Sequence, residues 1–178
     1  MKYYAGIGSR KTPPPVLAKM ELIGGFMARH GWTLRSGGAG GADQAFERGC
    51  YKAGGEKEIW NPRDEEVPIY NWAVDEIRGC CWEKPFHKMI AFTRVLLARN
   101  AYQILGMDGK TPVDFVVCWS DNPMKKGFQG GGTRYAVRLA RYHGLTVFNL
   151  FQPNSNEACP DALQALRAYC RANVLHSQ

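Results

Sequence analysis

Short runs typical of β-strands alternate with helical patterns along most of this 178-residue chain. Such alternation joins each strand to the next through a helical crossover, and it therefore favours a parallel sheet covered by helices on both faces. The runs that predict strands lie at residues 2–8, 32–36, 57–60, 114–119 and 145–150. We predict an α/β fold of the doubly wound kind, with a mainly parallel five-stranded sheet.

The helices are predicted from prolines, glycines and apolar spacing. A first helix begins near residues 13–15 and has its core stripe at Val16, Met20, Ile23 and Met27. A second begins at a glycine run and buries a face made of Ala42, Ala45, Phe46, Gly49, Cys50 and Ala53. Further helices are predicted near residues 70–77, from 85 to 105, up to 143, and from 159 to 172.

Length and composition predict a single domain over residues 1–178. Residues 61–84 are its least regular part, and a connection of this length predicts a lid over the functional site. No apolar run reaches the roughly 18 residues that a membrane helix needs. Residues 1–11 lack the apolar block of a signal peptide. We therefore expect a cytoplasmic protein that has no membrane partner.

Charge and cysteine content indicate the kind of partner. The six cysteines include no CxxC pair, and their spacing, even with His87 near Cys80 and Cys81, matches no zinc site. Neither a metal nor another cofactor is therefore predicted. The formal net charge of +7 favours anionic partners, either nucleotides or nucleic acid.

Three glycine-containing segments follow predicted strands, at residues 6–10, 36–43 and 130–133. The carboxyl ends of parallel strands share one edge of a sheet, so these segments are expected to line one crevice. Glycine lets a ligand touch the main chain, and the N–H groups at a helix start suit a phosphate. A single glycine run is more often a tight turn, whereas two runs before helices favour an anion site. The predicted ligand-binding residues are Gly8, Ser9, Arg10, Ser36, Gly37, Gly38, Gly40, Gly41, Gly131, Gly132, Thr133 and Arg134.

Neither common phosphate-binding motif is present. No GK[ST] follows a glycine run, and the first turn offers only Gly6 and Gly8 of the dinucleotide fingerprint. For Ser9 and Arg10, the alternative is a helix cap and a surface charge. Three arginines recur at i, i+4 and i+7, namely Arg134, Arg138 and Arg141, and this spacing predicts a stripe that faces solvent. Arg134, at the start of the helix, is expected to be close enough to reach an anion.

The segments GIGSR, RSGGAGGADQAFERG and GGGTRYAVRLARYHGLTVFNL together resemble the SLOG superfamily of Rossmann-like nucleotide-binding proteins, over residues 3–149. This superfamily includes the Lonely Guy phosphoribohydrolases and the DNA-processing protein A family. The chain looks most like small stand-alone members, many of them phage-encoded. The resemblance implies a Rossmann-like fold, a nucleotide or nucleotide-derived ligand, and a homodimer or larger homo-oligomer.

The resemblance also implies roles for particular residues. Gly131, Gly132 and Thr133 match the loop that holds the 5′-phosphate of a nucleoside monophosphate in the phosphoribohydrolases. The earlier loop, with Gly37, Gly38, Gly40 and Gly41, resembles the one that lies against the sugar. Arg99 takes the place of the arginine that helps catalysis, without the lysine that follows it in the family. The family's catalytic glutamate corresponds to Ala136 in this chain.

Asp43 is the carboxylate that we predict to act in place of that glutamate. Cleavage of an N-glycosidic bond builds positive charge on the sugar, which a nearby carboxylate stabilises. Asp43 follows the glycines directly, and it can also accept hydrogen bonds from ribose hydroxyls. The plainer alternative is that Asp43 complements the helix dipole. Glu47, one turn further along, is expected to be solvated.

Three functions are compatible with these features. The first is a nucleotide N-glycosidase in which Arg99 and Asp43 are catalytic. The second is a sensor or sequesterer of a signal nucleotide without turnover, which Ala136 favours. The third is a single-stranded DNA-binding protein, for which weak and salt-sensitive binding is expected. The aromatic residues available for stacking on bases are Tyr3, Tyr4, Trp72 and Trp82.

Overall fold

The structure is a computed structural model that describes residues 1–61, 63, 67–81, 91–121 and 132–174. Within these ranges it has five strands and six helices, close to the predicted elements. In chain order they are β1 (Lys2–Gly8), α1 (Pro14–Arg29), β2 (Trp32–Ser36), α2 (Ala42–Lys52), β3 (Lys57–Ile59), α3 (Asn71–Cys81), α4 (Ala91–Leu105), β4 (Phe115–Trp119), α5 (Thr133–Tyr142), β5 (Thr146–Asn149) and α6 (Pro160–Val174).

The five strands form one sheet in the order β3-β2-β1-β4-β5, and every pairing is parallel. The chain proceeds outward from β1 to β3, crosses back, and places β4 on the other side of β1. The strand order therefore reverses between β1 and β4, which is where open sheets of this kind bind ligands. The predicted doubly wound α/β fold is confirmed.

Helices cover both faces of the sheet. Tyr4, Phe115 and Val117 face the core that the sheet shares with α1, α2 and α6. Their neighbours Ala5 and Val116 face the core shared with α3, α4 and α5. Successive strand side chains point to opposite faces, so strands buried on both sides need the nearly continuous apolar runs that this sequence has.

Helices α1 and α2 approach each other through glycines. A β-carbon added at Gly24 would overlap the carbonyl of Phe46, and one added at Gly49 would overlap the carbonyl of Glu21. The predicted core stripe of α1 is confirmed at Val16, Met20 and Met27, whereas Ile23 is half-buried. Gly24 and Gly25 take part in the buried face instead, because α2 lies too close for larger side chains.

The region predicted as a lid contains a full helix. Helix α3 is longer than the short helix predicted near residues 70–77, and Ala73 and Ile77 are completely buried in the core with α4 and α5. A lid over residues 61–84 stays a prediction, and residues 62, 64–66 and 82–84 lie outside the described ranges. The described part of the next helix begins at Ala91. In the part of the chain that the structure describes, no helix has the length and apolar character needed to cross a membrane.

Candidate functional site

The loops that follow β1 and β2 meet at the carboxyl edge of the sheet. The N–H of Ser9 donates to the carbonyl of Trp119 at the end of β4, over 3.2 Å. Gly41 has a φ of 87°, and a β-carbon there would lie 2.9 Å from both the Cα of Arg10 and the carbonyl oxygen of Ser9. The first loop is thus in contact with the second glycine loop and with the end of β4. We call residues 8–10, 36–43 and 132–134 the glycine-loop site.

Asp43 connects these two loops. Its Oδ1 accepts the N–H of Gly8 at 3.0 Å, and its Oδ2 accepts the N–H of Ala39 at 3.2 Å. The residue is only 6% exposed. Burial raises the pKa of this carboxyl to about 7, since hydrogen bonds from the backbone of Ala39, Gly8 and Gly37 only partly offset the loss of hydration, and nearby Glu47 raises it further. Asp43 therefore fixes the loop geometry, and its proton equilibrium lies near neutral pH.

Most of the glycines of the second loop are explained by the protein itself. A β-carbon at Gly37 would lie 2.7 Å from Nε2 of Gln103 and 3.0 Å from Oδ2 of Asp43. Gly38 has a φ of 66° and lies against Ile59. Gly40 differs, because no described residue comes within 4 Å of where its β-carbon would be and no left-handed φ is recorded there. At Gly40, therefore, neither packing against a described residue nor the backbone conformation explains why a side chain is absent.

Helix α4 links the two glycine segments. Nδ2 of Asn100 donates to the carbonyl of Gly132 over 3.0 Å, and Gln103 lies against Gly37. Because Asn100 and Gln103 are three residues apart, they lie on the same face of the helix, one turn from each other. The segments at residues 37–41 and 132–134 consequently flank the same part of α4. Gly131 lies outside the described residues.

Asn100 and Gln103 were not predicted to belong to the site from the sequence. Both are buried on a helix whose other inward-facing residues are largely apolar. Buried polar groups are nearly always hydrogen-bonded to something specific. Two amides three residues apart beside Arg99 were the signal that could have identified them.

Arg99 holds the backbone of the segment that precedes α3. Its guanidinium is buried, with Nη1 donating to the carbonyl of Asn61 and Nη2 to the carbonyl of Val67 at 3.4 Å. One turn along, the hydroxyl of Tyr102 donates to the carbonyl of Pro68 at 2.7 Å and accepts the N–H of Tyr70 at 3.0 Å. These side chains fasten the start of the predicted lid to α4. A catalytic role for Arg99 stays a prediction.

The start of α5 differs from the predicted arginine stripe. Gly132 precedes the helix, and Thr133 is half-buried. Arg134 is 3% exposed, and its Nη2 donates to the hydroxyl of Tyr135 over 3.3 Å, so the expected solvent-facing position is wrong. The reason is that α4 packs against the first turn of α5, as the contact of Leu96 with Gly132 shows. Farther along, Arg138 is half-buried and Arg141 is exposed.

Glu47 is the second expectation that the structure corrects. Its side chain is 19% exposed rather than solvated, and Oε1 is buried without a hydrogen-bond partner among the described residues. Burial raises the pKa of this carboxyl, partly countered by Lys57, whose Nζ lies 3.9 Å from Oε2. The cause is the neighbouring edge strand β3, which covers this flank of α2.

The two serines and Gly8 have structural partners. Oγ of Ser36 donates to the carbonyl of Gly6 at 2.7 Å inside the sheet. Oγ of Ser9 accepts the N–H of Lys11 at 3.1 Å, which closes a local turn and does not cap α1, since Pro13 holds the N-cap position of that helix. A β-carbon at Gly8 would lie 2.5 Å from that of Ala42, so glycine lets α2 begin directly against β1. Arg10 is exposed.

Comparison of the chain with protein-family models, with curated proteins and with solved structures gave no match. Among the described residues, no group of three or more histidine, cysteine, aspartate or glutamate side chains could hold a metal ion.

Proposed function

We propose that the protein binds a nucleotide at the glycine-loop site and hydrolyses its N-glycosidic bond. The observation that carries this proposal is Gly40, whose missing side chain faces space that no described residue occupies. In a loop at the carboxyl edge of the sheet, such a glycine leaves room for a ligand to approach the backbone. The sugar would lie at this position, next to the loop that Asp43 holds.

The phosphate end of the ligand would lie at the start of α5. N–H groups in the first turn of a helix are not used within the helix, and the helix dipole favours an anion there. Thr133 adds a hydroxyl, and the packing of Asn100 against Gly132 keeps this turn in place. The positions of both segments beside the same part of α4 support one ligand spanning them.

Hydrolysis would depend on Asp43. It is a buried carboxylate next to Gly40, and its pKa of about 7 leaves a substantial ionised fraction at neutral pH. A carboxylate in a site shielded from water stabilises the positive charge that develops on a departing sugar. The position that corresponds to the family's glutamate is an alanine, Ala136, which is completely buried in the core. This position therefore supplies no carboxylate.

A sensor or sequesterer without turnover is the second candidate, and Ala136 favours it. The DNA-binding alternative has less support. Tyr4 is buried in the core, and the ring of Tyr3 is covered by Arg35, because the guanidinium carbon of Arg35 lies 3.8 Å from the centroid of that ring. Neither ring is available to a strand of bases.

Substitution of Gly40 by leucine tests the binding site. The variant should fold like the wild type, because the added side chain meets no described residue, and should lose affinity for nucleoside monophosphates at least tenfold in calorimetry. Gly79→Leu is the matched control, since Gly79 in α3 also has open space around its β-carbon. Unchanged affinity in a folded Gly40→Leu protein would rule out this site. Gly132 is less suitable, because a β-carbon there would lie 3.3 Å from Asn100 and Leu96.

Turnover is tested by chromatography of the nucleotides that bind. The proposal expects a free base and a phosphosugar, and it expects Asp43→Asn to lower kcat by orders of magnitude with little change in ground-state affinity, since only interactions specific to the transition state accelerate chemistry. If a bound nucleotide is never cleaved, the sensor function replaces hydrolysis.

A further inference from the structure

A cavity lies on the sheet face covered by α3 and α4, and it adjoins the glycine-loop site where the N–H of Trp60 donates to the carbonyl of Ser36. Its volume is about 490 Å³, and its walls are formed by Tyr3, Arg35, Glu58 and Trp60 together with Met107 and the turn that follows it. This volume falls within the range of small-molecule sites, roughly 300–1,000 Å³. None of these residues belongs to the glycine loops.

The floor of this cavity is an ion pair between Arg35, which is buried, and Glu58, whose side chain is 37% exposed. Nε of Arg35 donates to Oε2 of Glu58 over 2.7 Å, and Nη1 donates to the carbonyl of Thr111 over 2.5 Å. Arg35 is only 3% exposed, yet its Nη2 makes no hydrogen bond with any described residue. Glu58 likewise has an unused oxygen, Oε1, beside the pair. A donor and an acceptor are therefore presented next to each other.

The remaining wall is flat and apolar. The guanidinium of Arg35 stacks on the ring of Tyr3 at 3.8 Å and lies 5.8 Å from that of Trp60. Met107, which is 42% exposed, borders the cavity at the protein surface. Because Arg35 covers the ring of Tyr3, the apolar wall open to a ligand is formed by Trp60 and Met107. An aromatic ring and a thioether favour a planar ligand over a branched one.

The charge of the lining decides which planar ligands fit. Arg35 contributes one positive charge, whereas Glu58 and Asp108 contribute two negative ones. The carboxylate of Asp108 accepts hydrogen bonds from Lys110 and Thr111, which lower its pKa and keep it ionised. A net negative lining disfavours a phosphate, so the ligand should carry no negative charge.

We propose that this cavity binds a neutral planar heterocycle that carries a hydrogen-bond donor next to an acceptor, as a nucleobase or its nucleoside does. Nη2 of Arg35 donates a hydrogen bond to the acceptor atom of the ligand, and the N–H of the ligand donates to Oε1 of Glu58. Its ring lies against Trp60 and Met107. The site is independent of the function proposed for the glycine loops.

Inosine is the probe that tests this assignment, because its base has an N–H beside a carbonyl. Calorimetry should give saturable binding to the wild-type protein, at least tenfold weaker binding of inosine methylated at N1, and weaker binding of inosine monophosphate to this cavity. Met107→Arg should lower the affinity for inosine at least tenfold by filling the entrance. Leu22→Arg, at an exposed position of α1, is the matched control and should bind like the wild type.

The Gly40→Leu protein separates the two sites. It should keep wild-type affinity for inosine whether or not nucleotides bind at the glycine loops. The assignment is overturned if inosine does not bind saturably, if the N1-methylated ligand binds equally well, or if Gly40→Leu abolishes inosine binding and Met107→Arg does not.

Discussion

Replacing Asp43 by asparagine should change how stability depends on pH. In the folded protein the carboxyl is buried, and its pKa is raised from 3.8 to about 7. Between these values the folded protein holds a proton that the unfolded chain has released. Unfolding then releases that proton, so the free energy of unfolding falls as the pH rises. The stabilisation is complete below pH 4 and is lost as the pH passes 7.

The size of the effect follows from the two pKa values. Each tenfold change in a dissociation constant corresponds to about 1.4 kcal/mol, so the difference between 3.8 and about 7 amounts to about 4 kcal/mol. Asparagine stays neutral at every pH, but its Nδ2 cannot accept one of the two backbone N–H groups that the carboxyl oxygens accept. Asp43→Asn should therefore be the less stable protein at pH 4 by about 1–3 kcal/mol. Between pH 4 and pH 8 it should gain about 4 kcal/mol relative to the wild type, which makes it the more stable protein at pH 8.

Urea unfolding of both proteins at intervals from pH 4 to pH 8 measures this difference directly. Glu47, whose pKa is also raised, is present in both proteins, so its own contribution largely cancels. Asp161→Asn is the matched control, because Asp161 is also in the first turn of a helix but is exposed. If the two stability curves stay parallel, or if Asp43→Asn is the less stable protein at pH 8, then the carboxyl is not held in the neutral form by burial.

Two further predictions concern packing. Tyr102→Phe removes the hydrogen bonds to Pro68 and Tyr70, worth about 0.5–1.5 kcal/mol each. Amide hydrogen exchange at Val67, Ile69 and Tyr70 should therefore accelerate by about tenfold or more while α1 is unaffected; equal exchange in both proteins would show that this contact does not hold the segment. Gly49→Ala should lower the free energy of unfolding by about 1–3 kcal/mol through overlap with the carbonyl of Glu21, whereas Gly79→Ala should raise it by up to about 1 kcal/mol; urea unfolding that gives the same sign for both would contradict the close approach of α1 and α2.

The fold could be predicted because its signals are local. Each strand is an apolar run, and each helix shows its buried face within its own residues, as α2 does from Ala42 to Cys50. Parallel pairing then follows from the alternation of the two. The bounds of β1 and β2 agree with the prediction to the residue. The strand order β3-β2-β1-β4-β5 was not predicted and comes from the structure.

The candidate site was only partly predictable, because its neighbours come from distant parts of the chain. The glycines at positions 37 and 38 looked like ligand contacts, but Gln103 and Ile59 occupy the space beside them. Spacing within one helix also cannot show whether another element covers its outer face. That is why Arg134 and Glu47 were both expected in solvent and are buried or nearly so.

Asp43 and Arg99, the two residues predicted to be catalytic, both form hydrogen bonds with the backbone, the carboxylate as an acceptor and the guanidinium as a donor. Asp43 accepts N–H groups from two loops, and Arg99 donates to two carbonyls of the segment before α3. For Asp43 the two uses oppose each other. Ionisation supplies the negative charge that would stabilise a developing positive charge on a sugar, yet the same ionisation removes the stability gained by burying a neutral carboxyl. A pKa of about 7 lies where both states are populated at neutral pH. Under the proposed function, the ionised form needed for chemistry would be obtained at the expense of stability, which is a common cost of function in proteins.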